Sequence, residues 1–224
     1  RQVLPARPHP SFVGCRAHFL TSPHTHRVMT QPSPTFIGQD RKRRCSWCSS
    51  DPLYVAYHDN EWGRPVTDDN RLYEKLCLEG FQAGLSWLTI LKKREAFREA
   101  FDGFDPDKVA AYGVADVERL LSDAAIVRNR AKIESTIKNA RLALELPGGL
   151  SDFVWQFAPE RGNHTTNPVD FYWHTESEES RALSKALRQA GFGFVGPTTM
   201  YALMQATGML NDHTPECFRR PDLS

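Results

Sequence analysis

A chain of 224 residues, 40% hydrophobic and 25% charged, has apolar material for one sizeable folded domain, which excludes disorder along its whole length. No apolar run approaches the ~18 to 20 residues of a membrane-spanning helix, because charges interrupt even the most hydrophobic stretches. The formal charge of +1 hides an asymmetry: residues 1–44 hold eight basic side chains and one acid, leaving 20 basic against 26 acidic residues over 45–224, so nucleic-acid binding by the larger part would need local basic patches and shape.

Residues 1–44 are rich in Pro, His, Ser and Thr with little periodicity and are expected to form a disordered basic extension. Its prolines break up the amphipathic helix that a transit peptide would need. The extension ends in Arg41-Lys42-Arg43-Arg44, which reads as a solvated charge run or, alternatively, as an arm that contacts phosphates. An all-α domain is expected over 45–218, followed by a short tail, 219–224. Asp68-Asp69-Asn70 offers N-caps, and Leu72, Leu76 and Leu78 place a helix from about Asp69 to Glu79. Gly80 and Gly84 interrupt the pattern before Leu85, Leu88, Leu91 and Phe97 continue it to about Phe101. Asp105-Pro106 and Ser122-Asp123 punctuate short helical segments. A longer amphipathic helix spans about Arg128 to Leu146 and stops at Pro147-Gly148-Gly149. Pro159 to Glu176 reads as a loop, and Ser180–Ala190 and Thr198–Thr207 as helices. No segment reads convincingly as a strand.

Cys15, Cys45, Cys48, Cys77 and Cys217 are too few and too unevenly spaced for a disulfide framework, which points to a reducing, cytoplasmic setting. Cys45-Ser46-Trp47-Cys48, His58 and the His213 to Cys217 segment suit zinc, offering five candidates (Cys45, Cys48, His58, His213, Cys217) for four places. Spacing alone does not choose among them. Zinc bound between these half-sites would be structural and would tether both ends of the domain. Glu79 lies near the end of an apolar helix, where the macrodipole disfavours a carboxylate, so another group must hold it there. The pattern by itself equally fits a solvated glutamate beside a glycine cap. Trp47, Tyr54, Tyr57 and Trp62 are dense enough for core filling or for a pocket that stacks a planar base. The turn Gly191-Phe192-Gly193-Phe194-Val195-Gly196-Pro197-Thr198 joins two expected helices and could present backbone N–H groups to a DNA phosphate, as a helix-hairpin-helix does.

Three passages together resemble the 3-methyladenine DNA glycosylase I family, a likeness covering about Arg44 to Cys217. They are Asp51-Pro52-Leu53-Tyr54-Val55-Ala56-Tyr57-His58-Asp59-Asn60-Glu61-Trp62-Gly63, Leu78-Glu79-Gly80 through Gln82-Ala83-Gly84-Leu85-Ser86-Trp87, and Asn211-Asp212-His213. The resemblance implies an all-α, divergent helix-hairpin-helix glycosylase fold with structural zinc on Cys45, His58, His213 and Cys217, leaving Cys48 as a spare thiol. It implies a base pocket of Trp47, Tyr57, Glu79 and Trp87, with Glu79 as the catalytic carboxylate. The glycine-rich turn supplies the expected DNA-backbone contact at Gly193, Val195, Gly196 and Thr198, and the acidic balance of 45–224 makes Lys185, Arg188 or Lys92-Lys93-Arg94 its expected helpers. Phe81 stands where familiar members carry a polar residue, so the pocket rim is expected to differ. Asp212 admits two readings, a general base or, preferred, a supporting group beside the metal ligand.

The implied activity is monofunctional hydrolysis of the bond between 3-methyladenine and deoxyribose in alkylated double-stranded DNA. No lysine lies between Gly196 and Asp212 to act as a Schiff-base nucleophile. Nothing in the chain demands more than a monomer. The competing reading is a non-catalytic, zinc-stapled helix-hairpin-helix module that binds DNA.

Overall fold

The Asp68 carboxylate accepts from the Arg71 backbone N–H at 2.9 Å and starts α2, Asp69–Gln82. All residues from Leu72 to Phe81 are buried, so α2 is enclosed on every side and the other elements pack around it. The structure, a computed structural model, describes residues 34–159 and 174–220. Gly84, at φ +82°, turns the chain into α3, Trp87–Ala100, which is capped by Ser86. Asn129 caps α6, Arg130–Glu145, and α8, Glu178–Gln189, is followed by α9, Pro197–Ala206, with proline at its first turn. The short α4, Pro106–Ala110, and α5, Val114–Ser122, fall where the punctuation placed them. Helices α2, α3, α6, α8 and α9 lie within a few residues of their expected spans. The loop expected over Pro159 to Glu176 lies mostly outside the described residues.

Two helices carry no readable stripe. In α1, Pro52–Asn60, apolar residues occur on all sides: Leu53 is exposed while Tyr57 and His58 are buried. The seven-residue α7, Gly149–Trp155, begins where Pro147-Gly148-Gly149 ends α6. Gly149 (φ +87°) sits against Asp69, whose carboxylate would collide with any added Cβ and instead accepts the Ser151 N–H at 2.7 Å.

The chain is mostly helical, as expected, but strands do occur at its beginning. β1 (Thr35–Ile37) and β2 (Arg43–Cys45) form an antiparallel ribbon with Thr35 opposite Cys45. Three residues per strand are too few to reveal an alternating pattern. Residues 34–44 of the expected extension therefore belong to the folded part, and residues 1–33 lie outside the described residues. Nor is Arg44 part of a solvated run. It is 5% exposed and held between Asp40 and Asp59, each at 2.7 Å. At the other end, the Asn211 side chain donates to the Arg220 carbonyl at 2.9 Å, docking the first part of the expected tail.

The main core gathers around Tyr73, Phe81, Phe97, Phe101 and Phe104, with Phe81 and Phe97 centroids 4.6 Å apart. A second apolar cluster unites Cys45, Tyr57, Trp62, Leu91, Ala206 and Cys217. This smaller cluster brings both ends of the folded part to α1.

Candidate base pocket and metal centre

Between α1, α2, α3 and α9 lies a cavity of about 290 Å³, near the small end of the range for ligand sites. Its lining includes Trp47 from the turn after β2, Tyr54 and Tyr57 from α1, Trp62, Glu79 and Gln82 from α2, and Trp87 from α3. Ala202 and Gln205 of α9 and His174 complete it. Trp47 packs on Tyr54 at 4.8 Å and on Trp62 at 5.0 Å, and Tyr57 meets Trp87 at 5.5 Å between ring centroids. Among the described residues, the buried indole N–H groups of Trp47 and Trp87 have no acceptor.

Glu79 is the acid in this aromatic enclosure, 3% exposed, and burial pushes its carboxyl up to about 8 while Lys75 opposes the rise. The difficulty of a carboxylate near a helix C-terminus is met from another helix. Lys132 of α6 donates to the carbonyls of Phe81 and Ala83 at 2.8 and 2.6 Å, neutralising the negative end of α2.

The four expected pocket residues, Trp47, Tyr57, Glu79 and Trp87, thus share one cavity. Tyr54 and Trp62, read from the sequence as core filling or a stacking pocket, join them, and so do Gln82, His174, Ala202 and Gln205, which were not singled out as pocket residues. Tyr54 and Trp62 belong to the aromatic run, whereas no local signal marked Gln205. Phe81 is a correction: it points away from the cavity and is 1% exposed beside Phe97, so it does not shape the rim. Consecutive helical positions diverge by about 100°, and the polar lining residue is its neighbour Gln82. Asp212 accepts from Tyr201 Oη at 2.6 Å and from Gln205 Nε2 at 2.8 Å, so it orients a side chain of the lining.

Cys45, His58, His213 and Cys217 are all buried, with ligand atoms within 4.8 Å of one another. Cys217 Sγ is 3.4 Å from His58 Nε2 and 3.5 Å from His213 Nδ1, and Cys45 Sγ is 3.7 Å from His213 Nδ1. Bond lengths of a tetrahedral zinc site place sulfur and nitrogen ligands about 3.5 Å apart, so the donor set fits that ion. Asp59 takes His58 Nδ1 at 2.8 Å, leaving Nε2 to face the sulfurs, and Arg44 anchors Asp59. Hydrogen bonding with Cys45 and then with the two imidazoles holds the Cys217 thiol far below its usual range, favouring the thiolate that binds metals. Cys48 stands apart, donating to the Cys45 carbonyl at 3.1 Å.

The turn between α8 and α9 is braced from α6. Asn139 accepts the Gly193 N–H at 2.9 Å and donates to the Gly193 carbonyl at 3.1 Å, and the Val195 carbonyl accepts from Ser184 at 2.6 Å. Gly193 and Val195 thus secure the turn internally, while the half-buried Gly196 and the exposed Thr198 sit at the start of α9. Lys185 and Arg188 are exposed on the neighbouring α8. The other basic cluster serves the fold: Lys92 pairs with Asp51 at 2.7 Å, Lys93 donates to the Ala124 and Ala125 carbonyls, and Arg94 pairs with Glu61 at 2.6 Å.

Comparison with known proteins gives these features a family. Residues 47–220 match the family model described as methyladenine glycosylase. The chain is 52% identical over 177 residues to DNA-3-methyladenine glycosylase 1 of Escherichia coli, covering 78% of this chain and 95% of that one. It is 46% identical over 177 residues to DNA-3-methyladenine glycosylase of Haemophilus influenzae, covering 78% and 96%. Among solved structures, a variant of 3-methyladenine DNA glycosylase I in complex with 3-methyladenine matches with a TM-score of 0.73 and 37% identity, over 80% of this chain and 97% of that one. Shared sequence across most of both chains, with a common backbone, leads to one conclusion: the chain belongs to the methyladenine glycosylase family.

Proposed function

We propose that this protein is a monofunctional DNA glycosylase that removes 3-methyladenine from alkylated double-stranded DNA, the first step of base excision repair. The observation that carries this reading is the buried carboxylate of Glu79 inside an aromatic-walled cavity. Adenine methylated at N3 is cationic while attached to deoxyribose and leaves as a neutral base. A cation over aromatic faces gains ~0.5 to 2 kcal/mol, and hydrogen bonds to an ionised carboxylate add to this. A neutral, well-paired adenine gains less and is harder to extract from the stack. As the bond from the sugar carbon to the base breaks, its electron pair passes to the base ring, cancelling the positive charge. Water then bonds to that carbon and releases a proton. Among the described residues no lysine lines the cavity, in keeping with hydrolysis without a Schiff base.

In the same reading a structural zinc is held by Cys45, His58, His213 and Cys217; four protein ligands leave no open position, so its contribution is to tether β2 and the C-terminal segment to α1. The α8–α9 turn acts as the helix-hairpin-helix, presenting the start of α9 at Gly196 and Thr198 to a phosphate. Lys185 and Arg188 supply local positive charge to a domain that is acidic in total.

The test is incubation of the purified protein with methylated duplex DNA, followed by chromatography of released bases and a check for strand breaks. Release of 3-methyladenine without strand cleavage, lost in Glu79→Gln with fold and zinc content retained, is the expected result. No base released by folded, zinc-loaded protein would overturn the proposal in favour of a non-catalytic DNA-binding module.

A further inference from the structure

One buried cation beside the cavity has no partner in the chemistry set out above. Lys75 of α2 is 7% exposed, and among the described residues no hydrogen bond or ion pair receives its ammonium group. Its specific contact is with an aromatic wall of the cavity, Nζ lying 5.7 Å from the centroid of Tyr57. Lys75 itself does not line that cavity, so it stands behind Tyr57. It precedes Glu79 by one helical turn, and residues spaced i, i+4 occupy the same helix face.

Neighbouring charges are largely committed elsewhere. Glu61, at the end of α1, is paired with Arg94 of α3 at 2.6 Å, and Glu74 of α2 with Arg98 of α3 at 2.7 Å. Glu61, Arg64, Asp68 and Arg71 line a second cavity together with Lys75, and Asp68 there caps α2. Glu61, Glu79 and Glu74 all act electrostatically on Lys75, and of these three carboxylates Glu79 is the one that, among the described residues, has no arginine paired with it. Buried charges persist when they compensate one another.

We propose that Lys75 is a positioning residue for base excision: from behind Tyr57 it increases the ionised fraction of Glu79 and sets the charge that a cationic base meets in the pocket. The proposal rests on the glycosylase reading for its functional consequence, but not for the coupling between the two side chains. Lys75 exerts two opposed effects. It favours the carboxylate that attracts the base, and it places a positive charge behind the Tyr57 ring, weakening that ring as a platform for a second cation. The first effect matters where Glu79 is partly protonated, and the second persists once Glu79 is fully ionised. Burial pushes Glu79 up to about 8, with Lys75 opposing the rise, so the first effect dominates near neutrality.

Lys75→Met keeps the length and apolar stem while removing the charge. For the release of 3-methyladenine, kcat/KM is expected to fall about tenfold near pH 7, the consequence of moving the Glu79 titration up by about one pH unit. The activity should recover at alkaline pH to a plateau equal to or above that of the native protein. Equal loss at every pH would indicate a merely structural role and overturn the proposal. Independently of activity, carbon-13 NMR of labelled glutamate in the full chain should place the Glu79 midpoint higher in Lys75→Met than in the native protein, and an unmoved midpoint would refute the coupling. Should Lys75→Met fail to fold, nitrogen-15 NMR of the Lys75 ammonium in Glu79→Gln reads the same coupling in reverse. Its midpoint should fall, and no change would overturn the proposal. If the native protein releases no base yet the midpoints move together, the functional reading fails and the Lys75–Glu79 coupling stands.

Discussion

Replacing Glu79 by Gln should weaken catalysis and stabilise the protein, with the second effect growing as pH rises. The carboxyl titrates at 4.5 when unperturbed and at about 8 in the folded chain, because burial disfavours its charged form. At ~1.36 kcal/mol per pH unit, this displacement corresponds to about 5 kcal/mol of folding free energy between the two limits. The sign follows from proton binding: the folded state holds this proton more tightly, so the stabilising contribution is complete below 4.5 and is lost as pH rises through about 8. Glutamine does not titrate. Between pH 6 and pH 8 the stability of Glu79→Gln relative to the native protein should therefore climb by roughly 2 kcal/mol, and then level off. Denaturant unfolding at several pH values, on zinc-loaded protein, measures the difference. In parallel, loss of a hydrogen bond to a charged group, ~1.5 to 3 kcal/mol, should reduce the catalytic efficiency for base release roughly 10- to 150-fold. A stability difference flat from pH 6 to 9 would refute the buried, raised carboxyl. A fully active glutamine variant would refute its catalytic role.

Cys217→Ser should bring bound metal well below one zinc per chain by atomic absorption and lower the melting temperature, while Cys48→Ser, whose thiol only donates to the Cys45 carbonyl, should retain the ion. Asp59→Asn removes the charged group that holds His58 Nδ1, and competition with a chromogenic chelator should read a roughly 10- to 100-fold loss of zinc affinity. Asn139→Ala strands the Gly193 N–H and carbonyl and should cost about 1 to 3 kcal/mol in denaturant unfolding. The same variant should weaken binding to undamaged duplex DNA while leaving the binding of free 3-methyladenine, followed by tryptophan fluorescence, nearly unchanged.

Of the helices around the cavity, α2, α3 and α9 were legible because their local chemistry agrees with their packing. Asp68 caps α2 where Asp68-Asp69-Asn70 offers N-caps, and Leu72 and Leu76 recur at the spacing that one buried face requires. α1 was not legible, since the residues facing the site are aromatic, His and Asp rather than an aliphatic stripe. The ribbon of β1 and β2 was hidden by its brevity, and Arg44 by its company: four basic residues in a row read as solvated, yet one is buried because Asp59, brought by α1, and Asp40, across the ribbon turn, neutralise it.

By itself the sequence determined the helical class, most helix boundaries and, through the resemblance carried by Tyr57-His58-Asp59, Leu78-Glu79-Gly80 and Asn211-Asp212-His213, which residues to bring together. Tertiary structure alone decided how each is held. Phe81 faces the core and Gln82 the cavity, because the rotation of α2 is fixed by its neighbours and not by its own composition. Likewise Asp212 reaches Gln205, Lys132 caps a helix that ends about 50 residues earlier, and Lys75 stands behind Tyr57. These contacts join residues far apart in the chain or on different elements, and the charge state of a buried group depends on which others share its low-dielectric surroundings.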